Sequence, residues 1–268
     1  MRDSAPELTW FVHFRKAAGT SVVRMAEANG ARFTAHHQGG NPTTADGELV
    51  RVWDLSPAGL HDYVDRCLEQ GVTFVASEWG MPDLDVLHAH PGVRTITIVR
   101  DPVDRLVSNF LYDRFLGDTR APTMAAYAGD RSHLHTQYDY YVRLLLRDRW
   151  RLDLDPSTAA DLAAAVLARI DHVFLLEDPG MWGALADALR WQPADVRANA
   201  RSEGLPSRLR GAVTQLRRRR PELLLRALRP VEVTAAERAE LARRCAADVA
   251  LYERLRQSST TSSARPTS

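Results

Sequence analysis

The 268-residue chain is 45% hydrophobic and 26% charged, with a formal net charge of +1. That is ordinary globular composition, with enough length to bury a sizeable core without staples. Its two cysteines, Cys67 and Cys245, lie far apart and in no C-x-x-C pattern, which excludes a disulfide framework or a cysteine–zinc site and fits a reduced cytoplasm. No stretch approaches the roughly 18 apolar residues of a membrane span, and MRDSAPELTWFVHF at the start lacks the layout of a secretory leader.

The charge is unevenly spread. Residues 1–200 hold 20 basic and 27 acidic side chains, whereas residues 201–256 hold 14 arginines against 7 acids. The run Arg217, Arg218, Arg219, Arg220 has no aromatic residues interleaved. It reads as a solvated helical face, or a lid over an anion, in preference to a nucleic-acid contact. Of 35 basic residues only Lys16 is lysine. A compact, mobile ammonium does there what a planar guanidinium cannot.

In chain order, LTWFVHF (8–14) is a short apolar run of aromatic and β-branched residues and predicts a buried strand. RKAAGTS follows, then VVRMAEANG as a helix ended by Gly30. The glycines and prolines of 31–60 predict a loop with at most a short strand at LVRVW. HDYVDRCLEQG predicts a helix, VTFVAS (72–77) a strand, EWGMPD a turn and TITIV (95–99) a third strand. A helix over VDRLVSNFLYDRF comes next, then an irregular stretch to 135. Helices are expected at about 136–149 and 157–170, a strand at 172–177, and a helix over MWGALADALRW. The stretch 193–212 reads as loop, 213–228 as helix, and 234–257 as one long amphipathic helix. The Ser/Thr-rich residues 258–268 read as a disordered tail beyond a single domain over 1–257. Apolar strands alternating with helices predict an α/β fold, a parallel sheet covered on both faces, with ligands beyond the carboxyl ends of its strands.

Two loops leave strand ends carrying phosphate-binding chemistry. In the first, Arg15-Lys16-Ala17-Ala18-Gly19-Thr20-Ser21 precedes a helix. Gly19 lets backbone N–H groups approach an anion, and Thr20 and Ser21 bring hydroxyls to a helix N-terminus. Lys16 can reach over the loop. The order is not that of a Walker A loop, because lysine precedes glycine. In the second, Arg100 ends a strand, Pro102 suits the first helical turn and Ser108 lies about two turns along. Arginine and serine there can grip one phosphate together. Two anion sites at one sheet edge suit a nucleotide with phosphates on both its 5′ and 3′ positions.

At this point the chain resembles the P-loop-like sulfotransferases, in the branch of the carbohydrate 2-O-sulfotransferases and their bacterial relatives. The resemblance rests on His13-Phe14-Arg15-Lys16-Ala17-Ala18-Gly19-Thr20-Ser21 and on Arg100-Asp101-Pro102-Val103-Asp104-Arg105-Leu106-Val107-Ser108, with weaker echoes in HTQYDYYVRLL, HVFLLE and ADVALYERL. It implies a three-layer fold of the P-loop NTPase type. It also implies transfer of a sulfuryl group from 3′-phosphoadenosine 5′-phosphosulfate (PAPS) to a hydroxyl acceptor, with adenosine 3′,5′-bisphosphate (PAP) as product. Arg15, Lys16, Ala18, Gly19, Thr20 and Ser21 would surround the 5′-phosphosulfate, and Arg100 and Ser108 the 3′-phosphate. Lys16 would stabilise charge on the leaving oxygen, and Glu78, where relatives often carry histidine, would act as base. No metal is required by this charge logic. Arg15 and Ala17 depart from the proline and threonine usual in the family, so one hydroxyl contact is either absent or replaced by Arg15.

His36 and His37, in a glycine-rich loop, compete with Glu78 for the role of base. Trp53, Trp79, Tyr138 and Tyr140 are candidate acceptor-pocket walls and equally candidate core. Two other readings stay open: a nucleotide-dependent phosphotransferase, and a non-catalytic module that grips a polyanion or partner with its basic C-terminal region. The helix at 234–257 can pack on its own core or on a second copy, which leaves a homodimer open.

Overall fold

A computed structural model of the chain describes residues 8–128, 130, 132–151, 153–193 and 232–263. The arginine run and the helix expected at 213–228 lie outside the described residues. The centre is a four-stranded parallel sheet of β1 (Leu8–Val12), β4 (Phe74–Ser77), β5 (Val93–Val99) and β6 (His172–Leu175), in the order β4-β1-β5-β6. Both neighbours of β1 are parallel, with Phe11 opposite Ala76 on one side and Ile96 on the other. Helices flank this sheet, giving the α/β class expected. Inside it, Trp10 Nε1 donates to Ser77 Oγ (3.2 Å) and Thr97 Oγ1 to the Val12 carbonyl (2.7 Å). These buried polar groups are therefore satisfied across strands.

Three of the helices start where local chemistry supplies a cap. Ser56 accepts from Gly59 N and Pro57 opens α2 (Pro57–Glu69), four residues before the expected start. Asp83 caps α3 (Leu84–Ala89), a helix too short to show periodicity in the sequence. Asp101 accepts from Asp104 N, Pro102 opens α4 (Pro102–Leu116), and Gly117 closes it at φ 73°. The first helix, α1, runs Gly19–Ala28. A small hairpin, β2 (His37–Gln38) with β3 (Asn41–Pro42), turns at Gly39 and Gly40, both at positive φ. The strand expected at LVRVW is absent. That segment makes one isolated bridge, Thr43 to Leu49, and a 3₁₀ turn over Val52–Asp54.

The remaining elements are α5 (Met124–Ala128), α6 (Tyr140–Leu146), α7 (Pro156–Leu167), α8 (Met181–Leu189), α9 (Ala235–Arg244) and α10 (Ala246–Ser263). The helix expected from 136 begins only at Tyr140, because Asp139 sits in the left-handed region at φ 53°. The long C-terminal helix is broken at Cys245. Past the break, the N–H groups of Ala247 and Asp248 donate to Asp139 Oδ1 (3.0 and 3.1 Å) instead of continuing α9. In return the Asp248 carboxylate accepts from Tyr141 N (3.1 Å) and Val142 N (2.9 Å), the first amides of α6. Each aspartate thus caps the other's helix. The helical backbone of α10 then runs to Ser263, past the boundary expected at 257. Both cysteines are buried and free. Among the described residues no helix is long and apolar enough to cross a membrane.

Asp248 is 1% exposed, and burial, then the neighbouring Asp139 charge, holds its carboxyl above the ordinary range. A raised folded-state value means that the fold prefers the protonated acid. This contribution is complete below about pH 4, the unfolded value, and is lost as pH rises toward neutrality. Stability should therefore fall across that window, and Asp248→Asn should flatten the slope. Asp248→Ala, which strips acceptors from two buried amides, should cost about 2–3 kcal/mol. Urea unfolding of both variants against pH checks both expectations.

Candidate functional site

The site is built where β1 and β5 end. After β1 the chain makes a tight loop in which Lys16 and Ala18 take positive φ (66° and 64°), and Ala18 stands at the N-cap of α1 without a capping side chain. Ala17 N bonds back to Phe14 O, and Ser21 N to Ala18 O. The N–H groups of Ala18, Gly19 and Thr20 meet no acceptor among the described residues. Non-glycine residues in the left-handed region are strained by roughly 1–2 kcal/mol each, and they curl successive amides into a concavity suited to an anion. Gly19 is obligatory for a second reason: a Cβ there would stand 2.0 Å from the imidazole of His13. That ring is held across the loop by stacking on Phe11 (5.0 Å).

The second loop reaches the first directly. Arg100 Nη1 donates to the Lys16 carbonyl (3.4 Å), and its Nε, buried and without a hydrogen-bond partner, lies 3.9 Å from Glu177. Asp101 and Asp104, the acids nearest in sequence, are engaged elsewhere, Asp101 as the cap of α4 and Asp104 with Arg238. Ser108 is half-buried on α4, and neither its hydroxyl nor those of Thr20 and Ser21 make a hydrogen bond among the described residues. Thr20 is exposed and Ser21 is 7% exposed.

The first residues of α6 hold both loops by their backbones. Tyr140 OH accepts from Arg15 N (3.3 Å), while Tyr141 OH accepts from Arg100 N (3.1 Å) and donates to Arg100 O (3.0 Å). Tyr140 is therefore buried scaffold, not a pocket wall. Tyr138 packs into the second apolar cluster, and Trp53 packs on the core with its ring against Gly80. Trp79 is the one of these four that stands in solvent. Glu177 is fixed from two sides, accepting from Asp101 N (3.2 Å) and from Tyr252 OH of α10 (2.7 Å).

Arg15 does not point at the loop's concavity. Its Nε donates to Asn109 Oδ1 (2.9 Å), its Nη2 to Asp113 Oδ1 (3.1 Å), and its Nη1 lies 3.6 Å from Glu78 Oε1. Arg105, Asn109 and Asp113 recur at every fourth residue, so one face of α4 presents a buried polar ladder. Asn109 and Asp113 both bond Tyr127 OH, and Arg105 lies on the Tyr140 ring (4.3 Å) while donating to His135 O. Burial opposes the Asp113 charge, but hydrogen bonds from His135 and Tyr127, and the Arg15 charge, win and hold its carboxyl below the usual range. Burial also opposes the Arg15 charge, but the Asp113 and Glu78 charges outweigh it and raise the guanidinium. This ladder was not singled out from sequence, because Asp104, Ser108 and Arg114 make the helix polar at other positions as well.

Glu78 is one-fifth exposed, with its backbone N–H on Asn41 Oδ1 (2.8 Å) and Oε2 3.6 Å from His13 Nδ1. Burial lowers His13, with the Glu78 charge opposing, so the imidazole is neutral beside that carboxylate. His36 and His37 are both exposed, and the His37 ring is occupied by stacking on Phe33 (4.6 Å) and by Gly40 N. Among the described residues no hydrogen bond, ion pair or ring contact joins either to the Lys16 loop. A cluster of His61, Asp65 and His90 has metal-ligand spacing. It lies beside the start of β5, at the opposite sheet edge. There His90 Nδ1 accepts from Gly92 N (3.2 Å), which places the ring proton on Nε2, facing Asp65 (3.0 Å). The cluster is a hydrogen-bonded staple, not a set of free ligands.

A comparison of the chain with protein-family models gives no match, and neither does a comparison with curated proteins.

Lys16 Nζ rests 3.7 Å above the ring of Tyr112. Burial first, then the Arg15 charge, lowers its ammonium to about 8. Because Lys16 is the only lysine in the chain, isotope-labelled reductive methylation yields a single side-chain signal. Its titration should centre near 8, and Tyr112→Leu should move it lower still, since the ring face favours the cation. A midpoint at the ordinary 10.5 would mean an ammonium open to water.

Proposed function

We propose that this protein is a P-loop-like sulfotransferase that moves a sulfuryl group from PAPS to a hydroxyl acceptor. The observation that carries the reading is the meeting of the two loops at one sheet edge, where Arg100 Nη1 donates to the backbone carbonyl of Lys16 (3.4 Å). On these loops, among the described residues, stand the unpartnered amides of Ala18, Gly19 and Thr20, the unbonded hydroxyls of Thr20 and Ser21 and the orphaned Nε of Arg100, with the unbonded Ser108 on the helix that follows the second loop. This donor set fits two phosphates. Nothing in it calls for a base or a divalent cation to hold them, because cationic side chains and amides supply the positive charge.

On this reading Ala18, Gly19, Thr20 and Ser21 hold the 5′-phosphate. Arg100 and Ser108 hold the 3′-phosphate, the feature that separates this donor from ATP. The acceptor oxygen forms a bond to sulfur as the bond from sulfur to the 5′-phosphate oxygen breaks, with its electron pair staying on that oxygen. Lys16 neutralises the charge that develops there, and a flexible ammonium suits an oxygen that moves away. Glu78 takes the acceptor proton, a step typically worth a factor of about 10²–10⁴ in rate. Arg15 acts by position: anchored on α4, it keeps the Glu78 carboxylate turned toward the loop.

Thermal shift tests the donor site. PAP at a hundredfold excess over its dissociation constant should stabilise the protein by about 2.7 kcal/mol. The shift should vanish in Arg100→Ala and shrink in Lys16→Ala, and AMP or ATP should give much less. An equal shift with ATP would favour a phosphotransferase, and no shift with PAP would sink the donor assignment.

A further inference from the structure

We propose that Trp79 and Tyr112 form an aromatic acceptor subsite, and that the acceptor is an aryl alcohol, a hydroxyl carried on a flat aromatic ring. The choice of a hydroxyl rests on the sulfuryl-transfer reading above. The subsite itself rests on where these two rings stand.

Among the described residues four large apolar side chains are exposed, Trp79 (48%), Tyr112 (38%), Leu134 (37%) and Leu162 (38%). Two of the four flank the same guanidinium. Arg15 Cζ lies 5.4 Å from the Trp79 ring centroid and 5.8 Å from that of Tyr112. Both rings therefore open onto the centre that holds Lys16 and Glu78. Trp79 follows Glu78 in the chain, and Tyr112 carries the Lys16 ammonium on its face. Arg15 stays on its own side of the two rings and leaves their exposed part uncovered, since its Nε and Nη2 are bonded to Asn109 and Asp113. Scattered exposed apolar residues need no explanation, but two aromatic faces bracketing a titratable centre mark a ligand contact.

The chemistry around the rings favours an aromatic occupant over a polyhydroxylated one. A sugar needs free donors and acceptors for its several hydroxyls. Here the nearby amides and carboxylates are engaged with one another: Asn109 and Asp113 with Arg15 and Tyr127, and Asn41 with Glu78 N. What remains open is the exposed part of the two rings, on the side that neither Arg15 nor Lys16 covers. Stacking on Trp and Tyr faces suits a second aromatic ring. The base argues the same way. A carboxylate base takes the proton of a phenol, with a pKa of about 10, far more readily than that of an aliphatic hydroxyl.

Isothermal titration of the full chain in the presence of PAP provides the test, with 2-naphthol, its fully saturated analogue and methyl glucoside as probes. Naphthol should bind, and the two non-aromatic probes should bind about tenfold more weakly or not at all. Trp79→Ala and Tyr112→Leu should each weaken naphthol about tenfold, and Trp79→Phe should restore most of the loss. The thermal shift given by PAP should persist in Trp79→Ala, showing that the fold and the donor site are intact. Failure of naphthol to bind the wild type overturns the proposal, as does equal naphthol affinity in Trp79→Ala or preference for the glucoside or the saturated analogue. If PAP gives no shift while naphthol binding still depends on Trp79, the donor reading falls and the aromatic subsite stands.

Discussion

The geometry of the site hangs on two adjacent hydroxyls, those of Tyr140 and Tyr141. Each holds the backbone of one loop, Arg15 for the first and Arg100 for the second. Loops that leave different strands drift independently unless something rigid joins them. Here the joining element is one turn of α6, whose own first amides are held by Asp248 and whose N-cap residue, Asp139, holds α10 in return. The buried Tyr140 hydroxyl accepts one of these bonds and the Tyr141 hydroxyl both accepts and donates, and each bond contributes about 1 kcal/mol. Residues more than a hundred positions apart in the chain thus set the separation of Lys16 from Arg100. The C-terminal helix also reaches the site through Tyr252, whose hydroxyl holds Glu177 beside Arg100.

The same economy governs the charges. Three cations, Arg15, Lys16 and Arg100, crowd one sheet edge, and each is managed differently. Arg15 is neutralised by Asp113 and Glu78 and becomes structure. Arg100 is left with a distant carboxylate and an unpaired Nε. Lys16 has an aromatic face for a partner, which costs an incoming anion less to displace than a carboxylate would. An anion arriving here meets a positive field that the protein has not already cancelled. The strained left-handed turns at Lys16 and Ala18 are tolerated because Gly19 and His13 interlock beneath them.

Much of this was legible in the sequence. The apolar strand LTWFV, the loop with glycine at the head of a helix, and Arg100 before Asp101-Pro102 each follow from local propensity and dictate their own backbone. The same local reading failed where a distant partner intervened. The C-terminal helix read as continuous because 234–257 keeps one amphipathic period, and only the Asp139 carboxylate breaks it at Cys245. Arg15 read as a phosphate ligand because it sits in the loop, and only the position of α4 turns it inward. Tyr140 read as wall or core with equal weight, because nothing local tells a buried tyrosine from a lining one.

By itself, then, the sequence determined the class of fold and the two loops at its strand ends, since both arise from contacts within a few residues of chain. Tertiary structure alone decided which cation stays free, which aromatic rings face solvent and what holds the loops in register. Those outcomes depend on side chains brought from α4, α6 and α10, and hydrogen bonds across such separations leave no periodic trace in a sequence.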